Sequence, residues 1–395
     1  MACHPLALGL PCFCALQNIG LAVEKEHYML PYQPKNVKPN GLLLINKPSG
    51  PTSHDVVYQL RKILRTKKIG HAGTLDPFAS GLLLIGIGEA TKLLRHYVGL
   101  DKTYEAIVRL GATSDTEDRT GTLSKARKVP VVKKDIETVL QSFIGAQKQI
   151  PPMYSAKKIG GVRLYKLARQ GKEIERKPVE IEVHDIKLLS FKGDLLKIRC
   201  RASSGTFIRT LAADIGKKLK TGAYVEELKR TAIGDFTLKD AVDIDDNAAR
   251  RIIPLTTVLV SGTFDGVHEG HRNYFQQARA LGHRLICIVG RDSMTKKIKG
   301  KQPKRSEKER VKAVKQCAEI DRVYLGIEGD DAAVFDFTAS LEPDIIALGY
   351  DQYAYVNGLA AEMEKRGREV EVKKLRPFEP HRFKSSVIDK YPQKS

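Results

Sequence analysis

One carboxylate in the first half of the chain stands where it could do chemistry. Asp76 belongs to the glycine-rich segment GHAGTLDP at 70–77, and a strand-like run at 81–88 follows it. An Asp-Pro pair most often only begins a turn. A carboxylate displayed on a rigid loop can also face a ligand and act as a nucleophile. In isolation the segment favours the turn, so the chemical hypothesis needs companions elsewhere in the chain.

A second set of reactive side chains lies in TVLVSGTFDGVHEGH at 257–271. A hydrophobic strand is predicted to run through a glycine-containing loop into His268 and His271, which stand one turn apart at the start of a helix. Backbone N–H groups and the helix dipole attract phosphates there, and two imidazoles can hydrogen-bond the oxygens of a reacting α-phosphate. A zinc site would need further ligands, and a purely structural role ignores the strand-loop-helix context. The pattern favours nucleotidyl transfer.

Two different arrangements of elements must position these residues. The first half mixes strands and helices without a βαβ rhythm: we predict strands at 41–48, 81–88, 104–110 and 195–202, and helices at 54–64 (capped by Ser53), 210–219 and 223–229. The second half alternates strands at 257–264, 284–289, 322–325 and 344–348 with helices at 271–281, 306–319 and 331–340. The expected fold class is therefore α+β with a mixed sheet, followed by a parallel, doubly wound α/β domain.

The same pattern suggests how the chain is divided. We expect a disordered leader at 1–40, a first domain at 41–250 and a second domain at 255–395, with the boundary near 245–255. The apolar run at 5–23 contains Pro and Gly and follows no basic region, so we expect no membrane segment.

The composition indicates a polyanionic partner. The 395 residues carry 67 Lys and Arg against 46 Asp and Glu, a net charge of +21, and most of the excess lies within 41–250. Such charge favours nucleic-acid binding without fixing a fold. The 6 cysteines lack metal-ligating spacing, which favours reduced thiols in the cytoplasm.

Several motifs accompany Asp76 in chain order: NKPSG at 46–50, DKTY at 101–104, QIPPMYSA at 149–156, GTFIR at 205–209 and RTAIG at 230–234. Together with GHAGTLDP they resemble the bacterial tRNA pseudouridine synthase B family over residues 41–243. The resemblance implies that the first domain is a pseudouridine synthase catalytic domain. It would isomerise uridine 55 in the T-loop of tRNA, with tRNA as partner and with no cofactor or metal.

The resemblance also implies roles for single residues. Asp76 would be the nucleophile and attack either C1′ of the ribose or C6 of the uracil. Arg209 would pair with Asp76 and keep it ionised, and Tyr104 would stack on the target base and help to remove the proton from C5.

Further residues would contact the RNA. His71 would occupy the space left by the everted uridine, while Phe207 and Ile208 would line the uracil pocket. Phe207 departs from the tyrosine common in the family. Lys158 belongs to the basic stretch 157–169. The resemblance implies that this stretch is a clamp that closes on RNA phosphates. Without the resemblance, its pattern favours an amphipathic helix with one face in solvent.

The second half resembles the cytidylyltransferase-like superfamily, and archaeal-type FAD synthetases in particular, over residues 256–390. The matching pieces are GTFDGVHEGH, Arg291-Asp292, KGKQP at 299–303, Arg310 and LGYDQ at 348–352. The resemblance implies a Rossmann-like domain that uses Mg²⁺, a nucleoside triphosphate (ATP or CTP) and a phosphorylated small-molecule acceptor. The nucleotide-binding residues would be Thr263, Phe264, His268, His271, Lys299, Arg310, Asp351, Ser385 and Ser386.

Three functions remain open at this point. The leading hypothesis is a bifunctional enzyme that joins an RNA isomerase to a nucleotidyltransferase. The alternatives are nucleotidyl transfer as the main activity, or a non-enzymatic module that binds or folds tRNA. Relatives of the first half usually continue into a small RNA-binding C-terminal domain, and we expect the α/β half to take its place. The oligomeric state stays undetermined.

Overall fold

The computed structural model of the protein describes residues 39–155, 158–159, 162–168, 170–171, 174–352, 358–379 and 381. Nearly all of the predicted leader lies outside these residues, as do Ser385, Ser386 and the side chain of Lys158. The described chain divides between Pro254 and Leu255 into two compact units.

A mixed sheet forms the centre of the first unit. Its strands are β1 (Gly41–Lys47), β2 (Ile69–His71), β3 (Ser80–Ile87), β4 (Lys102–Leu110), β5 (Gly145–Gln149), β8 (Val179–Lys192), β9 (Leu195–Ala202), β10 (Ala223–Ile233) and β11 (Phe236–Thr237); β6 (Lys158–Ile159) and β7 (Val162–Arg163) form a separate pair. The sheet order is β1-β3-β10-β4-β9-β8-β5, with β2 beside β3 and β11 beside β10. The β3 and β10 strands run parallel and the other pairs antiparallel.

The helices of this unit are α1 (Ser53–Ile63), α2 (Ala90–Val98), α3 (Lys133–Gln141), α4 (Leu164–Ala168) and α5 (Ile208–Lys218). Strand β9 shows how α3 and α5 pack on one face of its part of the sheet: Leu196, Ile198 and Cys200 are buried, whereas the alternating basic residues between them are exposed. The buried side chains pack with those of α3 and α5 in one core cluster. A period of two along the strand thus separates a packed face from a solvated one.

Two local predictions for this unit are wrong. The segment 223–229 is part of strand β10 and not a helix, although Ala, Leu, Glu and Lys are good helix formers. It lies between β3 and β4 and hydrogen-bonds to both, and this pairing overrides the local propensity. Ser53 is not the cap of α1, because Thr52 holds that position and accepts from the N–H of Asp55.

The second unit contains a five-stranded parallel sheet in the order β14-β13-β12-β15-β16. Its elements are β12 (Thr257–Gly262), α6 (Glu269–Arg279), β13 (Arg284–Val289), α7 (Asp292–Lys299), α8 (Glu307–Lys315), β14 (Arg322–Leu325), α9 (Asp331–Ser340), β15 (Ile345–Leu348), α10 (Leu359–Glu364) and β16 (Glu371–Lys374). The order reverses at β12, so a crevice opens at the carboxyl ends of β12 and β15. The predicted fold classes of both halves are confirmed.

Several details of the second unit differ from expectation, among them α10 and β16, which were not predicted. Helix α6 begins at Glu269, so His268 is its N-cap residue and His271 lies inside the first turn. Helix α7 was not predicted, since its sequence DSMTKKIK holds few apolar residues to show a period. None of the described helices has both the length and the apolar character needed to cross a membrane.

The close approach of α5 to β10 depends on Gly216. A Cβ at this position would lie 2.4 Å from the Cβ of Ala223 at the start of β10. We expect Gly216→Ala to lower the free energy of unfolding by about 1–3 kcal/mol, because the helix must move away from the strand. Gly99→Ala is the matched control, since nothing lies within 4 Å of its added Cβ. Urea unfolding of both variants measures the difference, and equal stabilities would contradict the packing argument.

Candidate active sites in the two units

The loop that carries Asp76 connects β2 to β3 and is held on both sides of the carboxylate. The Ser53 hydroxyl donates to the carbonyl of Leu75 at 3.1 Å and accepts from its N–H at 2.9 Å. The Ser49 hydroxyl donates to the carbonyl of Phe78 at 2.7 Å. The NKPSG motif and the start of α1 therefore fix the loop through its backbone, which explains why Ser53 is buried and not a helix cap.

Two buried cations also hold this loop, and sequence reasoning assigned no role to either. Lys47 is fully buried, and its Nζ donates to the carbonyls of Pro48, Pro51 and Pro77. Burial lowers the pKa of Lys47 to about 8, while the Asp76 carboxylate opposes the shift. The sequence does contain a signal for this burial, because Lys47 lies two residues after the apolar run at 41–45.

Arg230 is the second buried cation. Its Nε donates to the carbonyl of Leu82 at 2.8 Å, and its Nη atoms reach the carbonyls of Gly73 at 3.1 Å and Thr74 at 3.4 Å. The side chain thus ties β10 to both the loop before Asp76 and the strand after it. Its motif, RTAIG, was identified in the sequence, but only the fold shows that the arginine points inward.

Asp76 and Arg209 form an ion pair, with 2.9 Å between the carboxylate Oδ2 and Nε. The Arg209 side chain is 4% exposed and that of Asp76 is 36% exposed. The remaining donors of the guanidinium bind the carbonyl of Thr116 at 2.7 Å, the carbonyl of Tyr154 at 2.7 Å and the Asp118 carboxylate at 3.2 Å. Arg209 is therefore held by four acceptors, and the Asp76 carboxylate that it binds is still partly exposed to a ligand.

Asp118, which the sequence did not single out, completes this arrangement. Its Oδ2 binds Arg209, and its Oδ1 accepts from the N–H of Thr120 at 2.9 Å and from the hydroxyls of Thr116 and Thr120. These donors satisfy both oxygens of a carboxylate that is buried. The guanidinium of Arg209 lies between two anions.

Burial raises the pKa of Asp76 above its ordinary value; the Arg209 guanidinium lowers it and the Asp118 carboxylate raises it again. The net direction is upward, whereas the sequence led us to expect that the arginine would dominate. Nucleophilic attack requires the ionised form, and Arg209 is the main group that favours it here.

Tyr104 and His71 lie on strands near this loop. Tyr104 is half-buried on β4 and is paired in register with Arg230, which is itself paired with Gly81 at the start of β3. His71 ends β2, and burial lowers its pKa, with the charge of Arg230 adding to the effect. The neutral imidazole is therefore favoured, which agrees with a positional role for His71.

Phe207 and Ile208 occupy different environments at the start of α5. The backbone of Phe207 is gripped by the Gln149 side chain, whose Oε1 accepts from its N–H at 2.8 Å and whose Nε2 donates to its carbonyl at 3.0 Å. Ile208 is 3% exposed within the main core cluster. Ile208 packs as a core residue, so of the two only Phe207 is left half-exposed to line a pocket.

In the second unit, the two histidines are brought into contact. The rings of His268 and His271 stack with centroids 3.9 Å apart, and His271 also meets Phe264 edge to face. The Nδ1 of His271 donates to the carbonyl of Gly266 at 3.1 Å, which leaves Nε2 as the acceptor of a neutral ring. Burial, together with His268, lowers the pKa of His271 to about 3.

Arg310 does not lie where a phosphate could reach it, and the expectation that it grips phosphates needs correction. The side chain is fully buried, and its nitrogens bind the carbonyls of Arg305, Thr263 and Gly290 and the Asp292 carboxylate. Every nitrogen of the guanidinium has a protein acceptor. Arg310 therefore ties together the loops that follow β12 and β13.

Two other expected nucleotide ligands, Thr263 and Asp351, lie at the carboxyl edge of the parallel sheet. Thr263 follows β12, and Asp351 comes three residues after β15. Partial burial lowers the pKa of Lys299 at the end of α7, and the nearby Asp351 carboxylate raises it. Across the described residues, no three His, Cys, Asp or Glu side chains are grouped to hold a metal ion. A Mg²⁺ ion in such a site would be bound in part by substrate phosphates.

The buried anion beside Arg209 gives a test of this geometry. We expect Asp118→Asn to lower the free energy of unfolding by about 3 kcal/mol, because it removes one partner of a buried ion pair while preserving shape. Asp135→Asn, an exposed position in the first turn of α3, should change stability by less than about 0.5 kcal/mol. Chemical denaturation of the full chain measures both, and a neutral Asp118→Asn would show that Arg209 does not depend on this carboxylate.

Family models match both units. The model described as TruB family pseudouridylate synthase (N terminal domain) matches residues 61–208, and the tRNA pseudouridylate synthase B C-terminal domain model matches 209–252. A cytidylyltransferase-like model matches 259–390. The second unit therefore follows a family C-terminal segment, which corrects the expectation that it stands in that segment's place.

Two solved structures are similar to parts of the chain. One is titled a Cbf5-Nop10-Gar1 complex: it is 27% identical, with a TM-score of 0.44, over 56% of this chain and 64% of that chain. The other is a lipopolysaccharide core biosynthesis protein from Thermoplasma volcanium: it is 33% identical, with a TM-score of 0.30, over 32% of this chain and 99% of that chain.

Curated relatives are similar to more than half of the chain. The tRNA pseudouridine synthase B of Azoarcus sp. is 48% identical over 206 residues, which is 52% of this chain and 69% of the relative. The enzyme of the same name from Dechloromonas aromatica is 44% identical over 249 residues, which is 61% of this chain and 83% of the relative. The chain therefore belongs to the tRNA pseudouridine synthase B family, and it carries a fused cytidylyltransferase-like domain.

Proposed function

We propose that the first unit converts uridine 55 in the T-loop of tRNA to pseudouridine, with Asp76 as the nucleophile. The observation that carries the proposal is the 2.9 Å pair between a partly exposed Asp76 carboxylate and a buried Arg209. The names of the curated relatives supply the substrate. The excess of basic residues provides the charge that a polyanionic RNA requires.

The chemistry is an isomerisation in which no group enters or leaves. Asp76 attacks C1′ of the ribose or C6 of the uracil, and the bond between N1 and C1′ breaks. The base turns, C5 bonds to C1′, and the bond to Asp76 breaks, which frees the carboxylate. The proton on C5 is then lost and N1 gains one. Tyr104 stacks on the base and assists the removal of the C5 proton. The protein supplies a nucleophile, positioning and a pocket with little water, so no cofactor or metal is required.

The target uridine lies in a structured loop and must turn outward before Asp76 can reach it. Eversion costs a few kcal/mol. His71 fills the vacated space as a neutral ring, and the basic clamp that includes Lys158 holds the phosphates. Pairing of the Asp76 loop with Lys47, Ser53 and Arg230 keeps the nucleophile in place while the RNA changes shape.

Asp76→Asn tests the nucleophile directly. We expect tritium release from tRNA labelled at C5 of uridine to fall below detection, because the amide cannot attack carbon, while binding of the tRNA is retained. Asp135→Asn should release tritium at the wild-type rate. Release by Asp76→Asn, or none by the wild type, would refute the assignment. Tritium release by the wild type would also exclude a role limited to binding or folding tRNA.

We further propose that the second unit transfers a nucleotide from ATP or CTP to a phosphorylated small molecule. The acceptor oxygen attacks the α-phosphate, a new phosphoanhydride bond forms and pyrophosphate leaves. His268 and His271 lie at the start of α6, where backbone N–H groups attract an anion. The neutral Nε2 of His271 can accept a proton once phosphate charge is nearby, which favours the charged pair. Mg²⁺ would bind with the triphosphate.

His271→Ala should abolish pyrophosphate release from a triphosphate and an acceptor. His271→Asn is the informative companion, because its amide can still donate to the carbonyl of Gly266 but has no counterpart of Nε2. We expect both variants to be inactive in a coupled pyrophosphate assay with ATP and CTP. Activity in His271→Asn would show that His271 has only a structural role. The absence of product from the wild type with a panel of phosphorylated acceptors would remove catalysis from this unit.

A further inference from the structure

We propose that Arg305 is the arginine that binds the phosphates of the nucleotide in the second unit. The inference rests on the proposed nucleotidyl transfer and names a residue that the motifs did not. It follows from the position of Arg310, whose guanidinium is fully buried and bound to three carbonyls and one carboxylate. Arg310 is therefore not available to a triphosphate beside α6.

The backbone of Arg305 is fixed against the loop that follows β12. The Asp265 carboxylate accepts from the N–H of Arg305 at 2.9 Å and from the N–H of Lys304 at 2.7 Å. The Nε of Arg310 donates to the carbonyl of Arg305 at 3.1 Å. Asp265 and Arg310 thus fix the backbone of Arg305. The buried Arg310 therefore serves to position Arg305.

The guanidinium of Arg305 lies directly over Gly266. A Cβ at Gly266 would be 2.2 Å from Nη1 of Arg305 and 3.4 Å from its Cζ, so only glycine leaves room for this approach. The carbonyl of the same glycine accepts from Nδ1 of His271 at 3.1 Å. Gly266 therefore separates the Arg305 guanidinium from the His271 imidazole, and both groups adjoin the start of α6.

The donors of this guanidinium are available to a ligand. Arg305 is exposed, and within the described part of the chain its side chain makes no hydrogen bond or ion pair. The two acids at the start of α8 are already engaged. Glu307 accepts from Arg291 at 2.9 Å, and Glu309 accepts from the N–H and hydroxyl of Ser306 as part of a capping box. A guanidinium with free donors on a fixed backbone matches the paired oxygens of a phosphate.

Binding of inorganic pyrophosphate, ATP and CTP to the full chain tests the assignment. We expect Arg305→Gln to weaken the tightest of these by about 10-fold or more, because one charged contact is lost. Arg305→Lys should lie between Arg305→Gln and the wild type, since it keeps the charge but not the paired donors. Lys308→Gln removes the same charge from an exposed position on α8 and should bind as the wild type does. Titration calorimetry measures all four proteins.

The outcomes separate this inference from the function on which it rests. Wild-type affinity in Arg305→Gln, in a protein that binds a triphosphate, would overturn the assignment and leave nucleotidyl transfer standing. Equal losses in Arg305→Gln and Lys308→Gln would also overturn it, because the effect would then be general electrostatics. A wild type that binds none of the three probes would overturn both proposals. An unchanged thermal unfolding midpoint in Arg305→Gln confirms that the fold is retained.

Discussion

The buried guanidinium of Arg209 joins the segments of the first unit that surround its proposed nucleophile. Helix α5 supplies the arginine, the β2–β3 loop supplies Asp76, and two further segments supply Asp118 and the carbonyls of Thr116 and Tyr154. These segments are remote in sequence. A side chain with this many fixed donors can join them in only one arrangement, so the direction of the Asp76 carboxylate is set before any RNA binds.

Both units use buried cations to tie loops together. Arg230 and Lys47 bind backbone carbonyls around the Asp76 loop, and Arg310 does the same for the loops at the carboxyl edge of the parallel sheet. Burial of a charge costs several kcal/mol unless its hydrogen bonds are made. Here the nitrogens of each cation are engaged, which offsets much of that cost. These hydrogen bonds connect the loops to the strands and helices that flank them.

The two sites differ in the charge of their reactive side chains before a substrate binds. The first holds an anion, Asp76, between a cation and solvent, and burial raises its pKa. The second keeps His271 neutral through burial and places it in the first turn of α6, beside the free N–H groups of that helix start. The first arrangement suits nucleophilic attack by Asp76 on a carbon atom of RNA. The second suits an incoming polyanion, whose charge would complete the site.

The sequence by itself determined the family, the fold class of each half and the pairing of Asp76 with Arg209, because motifs and hydrophobic periods are local patterns. It could not determine that 223–229 forms a strand, since only pairing with β3 and β4 overrides its helical propensity. It also could not separate arginines that look alike along the chain. Arg310 was among the residues that carry the family resemblance, and it is buried. Arg305 was not among them, and its guanidinium lies beside Gly266 in the loop that follows β12. Which way a side chain points depends on the segments packed around it, and those segments meet only in the folded protein.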